Sequence, residues 1–346
     1  MESGRLRPFV YVAVSAALFG ISAPVSKLLV SDISPVALAG LLYAGAFLGL
    51  ALLRLVSRKR AEEAPLRKRD LPYLFGSILS GGVIAPILLM TGIASVTGVA
   101  SSLLLNLEGV ATALIAWLAF GEVVGRRTWA ALVMMTAAGV LLTFEVGGGA
   151  SAEGAGLIVL AMVFWGLDNN LARKIAGTGA QRIAMIKGLI AGSTSLSLAF
   201  LLGILPPLGA DVLAALVLGA LSYGVSLVLF IMALGSLGSA RTGAFFALGP
   251  FIGAAISIPL LGEAPGLSMV PAGALMALGT YLLLSERHSH VHWHPPETHE
   301  HVHEHDPHHR HDHLPGTPER HSHTHGHEGV SHEHEHWPDE EHRHRH

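Results

Sequence analysis

Ten apolar stretches constrain this chain more than any other feature, at residues 9–30, 34–56, 71–90, 98–120, 128–145, 155–173, 182–203, 211–233, 239–261 and 266–285. A helix needs about 20 apolar residues to cross a bilayer core. Lipid supplies no hydrogen-bond partner to an unpaired backbone, so runs of this length in lipid must be helical. The breaks carry turn chemistry, as at Ser31-Asp32-Ile33-Ser34-Pro35, Gly147-Gly148-Gly149 and Pro206-Pro207. Only 14% of residues are charged, against about a quarter in soluble domains. The 40 glycines suit membrane helices, where small residues let backbones approach closely. Arg5 and Arg7 precede the first stretch as they would in a signal peptide, but the stretch is too long for an h-region and is read as a retained helix.

Basic residues set the orientation. With the N-terminus inside, the inner segments hold Arg5 and Arg7, the 54–69 cluster, Arg126 and Arg127, Arg173, Lys174 and Arg182, Arg241 and Arg287. The outer loops near 31–33, 91–97, 147–154, 204–210 and 262–266 hold none, and only Lys27 lies near the outer side. An added or missing span would scramble this asymmetry. The reading is a multi-pass protein of the cell membrane, the plasma membrane, with both termini cytoplasmic. A net charge of -3 leaves no basic face for phosphates and argues against a nucleic-acid partner. The absence of cysteine excludes disulfides and thiolate metal sites.

The spans fall into two halves. Leu18-Phe19-Gly20 with Lys27 aligns with Phe164-Trp165-Gly166 with Arg173; each has a cation seven residues after the glycine. The fourth and ninth spans both close on Gly-Glu, at Gly121-Glu122 and Gly262-Glu263. The glycines of the first match are 146 residues apart and those of the second 141. Five is an odd number, so equivalent helices cross the membrane in opposite directions, the inverted-repeat plan with a site near the midplane. The expected fold is an all-α integral membrane protein. It comprises a short N-terminus (1–8), a first five-helix repeat (9–145), an external loop (146–154), a second repeat (155–285) and a disordered tail (286–346).

On these motifs the chain resembles the EamA-type branch of the drug/metabolite transporter superfamily over roughly residues 9–285. The resemblance implies a secondary transporter of metabolites, amino acids or drug-like solutes, working by exchange or proton coupling, and not an enzyme. It leaves the cargo open. The family often carries a proline a dozen or so residues before Gly-Glu; the second half has Pro250, while the first has Glu108-Gly109.

Charge at membrane depth costs about 2.5–3.5 kcal/mol on insertion scales, so it normally faces a cavity or a partner. Glu108 lies near the middle of the fourth span, two residues after Asn106. Desolvation there disfavours the ionised carboxylate, which suits a proton carrier or a cation contact; a helix-to-helix hydrogen bond is the plainer alternative. Asp168-Asn169-Asn170 and Lys187 lie in consecutive antiparallel spans, so Asp168 and Lys187 are expected at similar depth. They read equally well as a substrate contact or as an ion pair that fixes packing. Trp165 and Tyr223 are candidates to line the cavity. Lys27 and Arg173 read mainly as residues reaching to the interface. Gly45-x-x-x-Gly49, Gly188-x-x-x-Gly192 and Gly249-x-x-x-Gly253 read as close packing.

The tail is a different polymer and holds all 22 histidines. The His-x-His pattern runs through His288, His290, His292, His294, His299, His301, His303 and His305, then His311 and His313, then His321, His323, His325, His327, His332, His334 and His336. Imidazole suits zinc, nickel, cobalt and copper. Binding would be lost below about pH 6 as histidine takes up protons. So polar a segment forms no core and is expected to be disordered without metal. No cofactor is required. The expected partners are the bilayer, a small-molecule or ion substrate, transition-metal ions and, as an allowed case, a second copy in a homodimer. Three functions compete: a small-solute transporter with a metal-binding tail, a transition-metal transporter, and a metal sensor or store that moves nothing.

Overall fold

The computed structural model describes residues 3–56, 66–120, 125–143, 151–175, 179–206, 208–230, 232–233, 246–264 and 266–285, with tail segments 288–294, 297–304, 320–327 and 330–336. Gly121-Glu122, Gly147–Gly149, Pro207, Arg241, His305, His311 and His313 lie outside them. Residues up to Glu286 form one unit, and Arg287–Pro338 form another.

Helix occupies every one of the ten expected stretches. Among the described residues, seven helices are long and apolar enough to cross a membrane, at Arg7–Leu29, Pro35–Leu55, Lys68–Ala94, Gly98–Ala119, Ala152–Arg173, Gln181–Leu201 and Ala210–Phe230. Arg126–Thr143, Gly249–Leu261 and Met269–Ser285 fill the remaining three positions. Local chemistry explains several ends. Pro35 opens the second helix, where its missing N–H costs nothing. The Thr97 and Ser151 hydroxyls cap the fourth and sixth by accepting from Ala100 and Gly154. Gly262 ends the ninth in a left-handed conformation, φ 65°, which a side chain would resist.

The two halves carry the same distortions. A π-helical turn interrupts the third span at Ile78–Ile84 and the eighth at Gly219–Val225, 141 residues later. The fourth span breaks at Leu105-Asn106 and the ninth at Ala247-Leu248, 142 residues later. Helix contacts follow the same symmetry: spans 2 and 7, 4 and 9, and 5 and 10 pair with their own counterparts. The third packs on the sixth as the eighth packs on the first. This reciprocity is what a two-fold relation between inverted halves produces.

Packing rather than water exclusion holds helices together in lipid. Gly45 lies against the Leu216 backbone and Gly219 against that of Leu42, so span 2 meets span 8 with nothing between the backbones. Leu38, Leu42, Leu89, Met90, Ile93, Leu104, Met135, Ile158 and Met162 form the buried centre. Leu55, Phe75, Leu118, Phe200, Leu201 and Val270 lie exposed, as lipid-facing residues must.

The tail is built differently from the helical unit. Four strands, His288–His294, Glu297–Glu304, Arg320–His327 and Val330–His336, pair antiparallel, first with fourth and second with third. The expectation of disorder follows from the missing core. The two-residue His-x-His period is also that of a strand, and backbone pairing between such segments needs no core.

Gly45→Leu should lower the thermal midpoint in detergent by the equivalent of about 1–3 kcal/mol, the usual cost of overpacking. Gly156→Leu, with open space around its position, should leave it unchanged.

Candidate functional site

The break at Leu105-Asn106 is where the fourth span acquires chemistry. Asn106 is buried, and its amide donates back to the Leu103 carbonyl at 3.2 Å, so it satisfies the broken turn. Glu108 follows at the start of the next helical segment. By the 142-residue offset it stands where the second half has Pro250.

The Glu108 carboxylate accepts from the Asn169 amide at 2.7 Å. The same amide nitrogen lies 3.1 Å from the Thr112 hydroxyl, which donates to the Glu108 carbonyl at 2.8 Å. Asn170 donates to Thr112 O at 3.1 Å and to Gly166 O at 2.8 Å, and is buried. Spans 4 and 6 can come this close because Gly166 sits against the Ala111–Thr112 backbone. Glu108 is half-buried and Asn169 exposed, so this pair borders an opening, unlike Asn106 and Asn170.

Asp168 and Lys187 meet as the sequence suggests, in a buried ion pair. The second carboxylate oxygen of Asp168 accepts from the Ser77 hydroxyl at 2.5 Å, and Lys187 Nζ lies 3.5 Å from the same hydroxyl. Gly81, in the π turn of span 3, abuts the Asp168 side chain where a Cβ would collide with it. The Gly81 carbonyl accepts two side-chain donors, Tyr43 OH at 2.6 Å and Trp165 Nε1 at 3.0 Å. Trp165 is therefore a buried strut, not an open cavity wall. Tyr223, in the other π turn, lies 5.7 Å from the Tyr43 ring and 6.4 Å from Phe19. Phe19 continues to Phe246 at 5.0 Å, and Phe246 to Phe230 at 4.8 Å. An aromatic series thus crosses from span 2 through spans 8, 1 and 9, beside the polar seam.

Sequence reasoning misses Ser77, Tyr43 and Thr112. Single hydroxyls in apolar helices carry no pattern, and only the π turn and the glycine contacts bring them to the seam. Lys27, expected to reach for the interface, donates from Nζ to Ile93 O at 2.8 Å and Ala94 O at 2.9 Å, the carbonyls that end span 3. On the other side of the short connection, Glu263 accepts from the Gly98 and Val99 amides that begin span 4, at 2.7 and 2.9 Å. A cation at a helix C-terminus and an anion at an N-terminus both suit the helix dipole.

Removing one partner of a buried ion pair typically costs about 3–5 kcal/mol, because the other charge is left uncompensated. Asp168→Asn or Lys187→Met alone should destabilise the protein in detergent by that amount, and the double variant should recover most of it. Thermal unfolding of the three proteins checks this.

The EamA-like transporter family matches the chain twice, over residues 7–144 and 152–285. A curated protein described as an uncharacterized transporter from Methanothermobacter thermautotrophicus is 28% identical over 296 residues, 81% of this chain and 86% of its own length. A solved structure, described only as the crystal structure of a protein, is similar with a TM-score of 0.52 at 18% identity, covering 82% of this chain and 97% of the other. That likeness speaks for the fold alone. The two family matches fall on the two halves that share their distortions, and the chain belongs to the EamA-like transporter family as a multi-pass membrane transporter.

Proposed function

We propose that this protein is a secondary active transporter of a small organic solute (a metabolite, an amino acid or a drug-like molecule) across the plasma membrane. It works by alternating access between inverted five-helix halves that together span the membrane ten times. The observation that carries the reading is the half-buried Glu108–Asn169–Thr112 group at a helix break, with the Asp168–Lys187 pair close by. Broken helices at corresponding points of two inverted halves are the usual location of a transporter's binding site.

Glu108, Asn169 and Thr112 offer hydrogen bonds to the polar part of a solute, and the Phe19–Tyr223 series offers aromatic surface to the rest. Asp168 and Lys187 neutralise each other between spans 6 and 7 and hold the wall against which the solute binds. Glu108 is held by an amide rather than by a second carboxylate or a histidine. Among the described residues, no three histidine, aspartate or glutamate side chains gather as a metal site would require. This favours an organic cargo over a transition-metal ion in the membrane unit. Both termini are cytoplasmic on the distribution of basic residues, and the tail binds zinc, nickel, cobalt or copper through its histidines.

Proteoliposomes test the reading with a panel of amino acids and metabolites alongside zinc, nickel and cobalt, using the full chain and a chain lacking residues 288–346. Counterflow of an organic solute is expected from both. In Glu108→Gln that flux should fall at least about tenfold, the equivalent of roughly 1.5 kcal/mol for a hydrogen bond to a charged group. Metal flux abolished by the same substitution would replace this reading with metal transport. No flux of any solute would leave a sensor or store.

A further inference from the structure

The tail strands pair in a register that brings histidine opposite histidine. In the first ladder the facing positions are His288 with His336, His290 with His334 and His292 with His332. In the second they are His299 with His325, His301 with His323 and His303 with His321. The intervening pairs are of other kinds: Ser289 with Glu335 and Val291 with Glu333, Glu300 with Thr324 and Val302 with Ser322. Residue numbers in every pair add to the same total in both ladders, so the two share one register. Successive strand residues belong to opposite faces, so the three histidine pairs of each ladder share a face. A slip of one residue would set every one of these histidines opposite a residue other than histidine.

This arrangement differs from local chelation along an extended chain, where each ion takes neighbouring His-x-His residues. Facing positions in an antiparallel pair have Cβ atoms about 4.5–5.5 Å apart, and same-face positions along one strand lie roughly 6.5–7 Å apart. Two adjacent pairs, such as His290 and His292 with His332 and His334, therefore place four histidine positions at the corners of one small patch. Zinc takes four nitrogen ligands at about 2.0–2.1 Å.

We propose that the tail binds divalent transition metal across the strands, with ions seated between successive histidine pairs, so that metal clamps residues 288–304 against 320–336. The proposal deepens the metal-binding reading of the tail given above and depends on it. Each ion then joins residues far apart in sequence, 40 positions for His292 and His332. Metal availability becomes a hairpin that closes or opens at the end of the chain.

The chain has no cysteine, so nitroxide labels can be placed on introduced cysteines without background. In the full-length protein in detergent, Ser289→Cys with Glu335→Cys labels a facing pair and leaves every histidine intact. Ser289→Cys with Ser322→Cys labels positions remote from each other in the register. With zinc present, dipolar broadening of the spectrum is expected for the first pair and not for the second. His332→Ala with His334→Ala should remove zinc-dependent broadening and lower the number of zinc ions bound, although His290 and His292 remain. Zinc binding measured calorimetrically on the same protein with no broadening in the facing pair, or equal broadening in both pairs, would overturn the ladder while leaving local chelation. Absence of zinc binding would end the metal reading of the tail altogether.

Discussion

Lipid gives nothing to a backbone group that has lost its partner, and the architecture of this protein follows from how each such group is met. The helices break or distort at a few places, and at several of them a side chain or a displaced carbonyl does what water would do in a soluble protein. Asn106 returns its amide to Leu103 where the fourth span opens. Tyr43 and Trp165 converge on the Gly81 carbonyl in the third span's π turn. Lys27 closes the end of the same span, and Glu263 the start of the next. The polar residues that look anomalous in an apolar sequence are mostly there for the backbone. Those left over, Glu108 and Asn169 above all, bond to each other at an opening rather than to a broken turn.

The repeats supply a scaffold twice and chemistry once. Both halves have a π turn, a broken helix and a glycine-mediated approach, at separations of 141, 142 and 146 residues. The ends repeat their charges, Lys27 with Arg173 and Glu122 with Glu263, but the seam's Glu108, Asp168 and Lys187 do not repeat. Glu108 takes the place of Pro250, and Asp168 corresponds at the glycine offset to Ser22, which is buried without a carboxylate. Duplication therefore accounts for the geometry of the seam, and divergence between the halves for its polarity. The Asp168–Lys187 pair illustrates the difference, since it joins two helices of one half and has no charged counterpart among the described residues of the other.

Much of this architecture is legible in the amino-acid sequence, and the reasons differ by feature. Span positions are clear because about 20 apolar residues is a strong one-dimensional signal. The meeting of Asp168 and Lys187 follows from two antiparallel neighbours sharing a depth. Hydrophobicity carries no information about side-chain direction, so Trp165 and Asn170 read as cavity residues when both are buried struts. The π turns share the pattern Leu-Ser-x-Gly-Val, at Leu79–Val83 and Leu221–Val225, but such a pattern does not by itself distinguish a π turn from an α-helical one. In the tail, composition speaks of disorder while periodicity speaks of strands. Only the pairing register distinguishes a string of chelating residues from a two-sided ladder.

Gly262 and Glu263 belong to the second half, whereas Gly98 and Val99, which Glu263 grips through both carboxylate oxygens, belong to the first. One acidic side chain therefore rivets the two halves together at this end of the molecule. Any rocking that parts them there must release two amides at once, into whatever solvent then enters. The left-handed turn at Gly262 brings the carboxylate round from the helix it terminates to the helix it holds. A residue pair that reads in the sequence as a helix terminator thus also fastens the second half to the first.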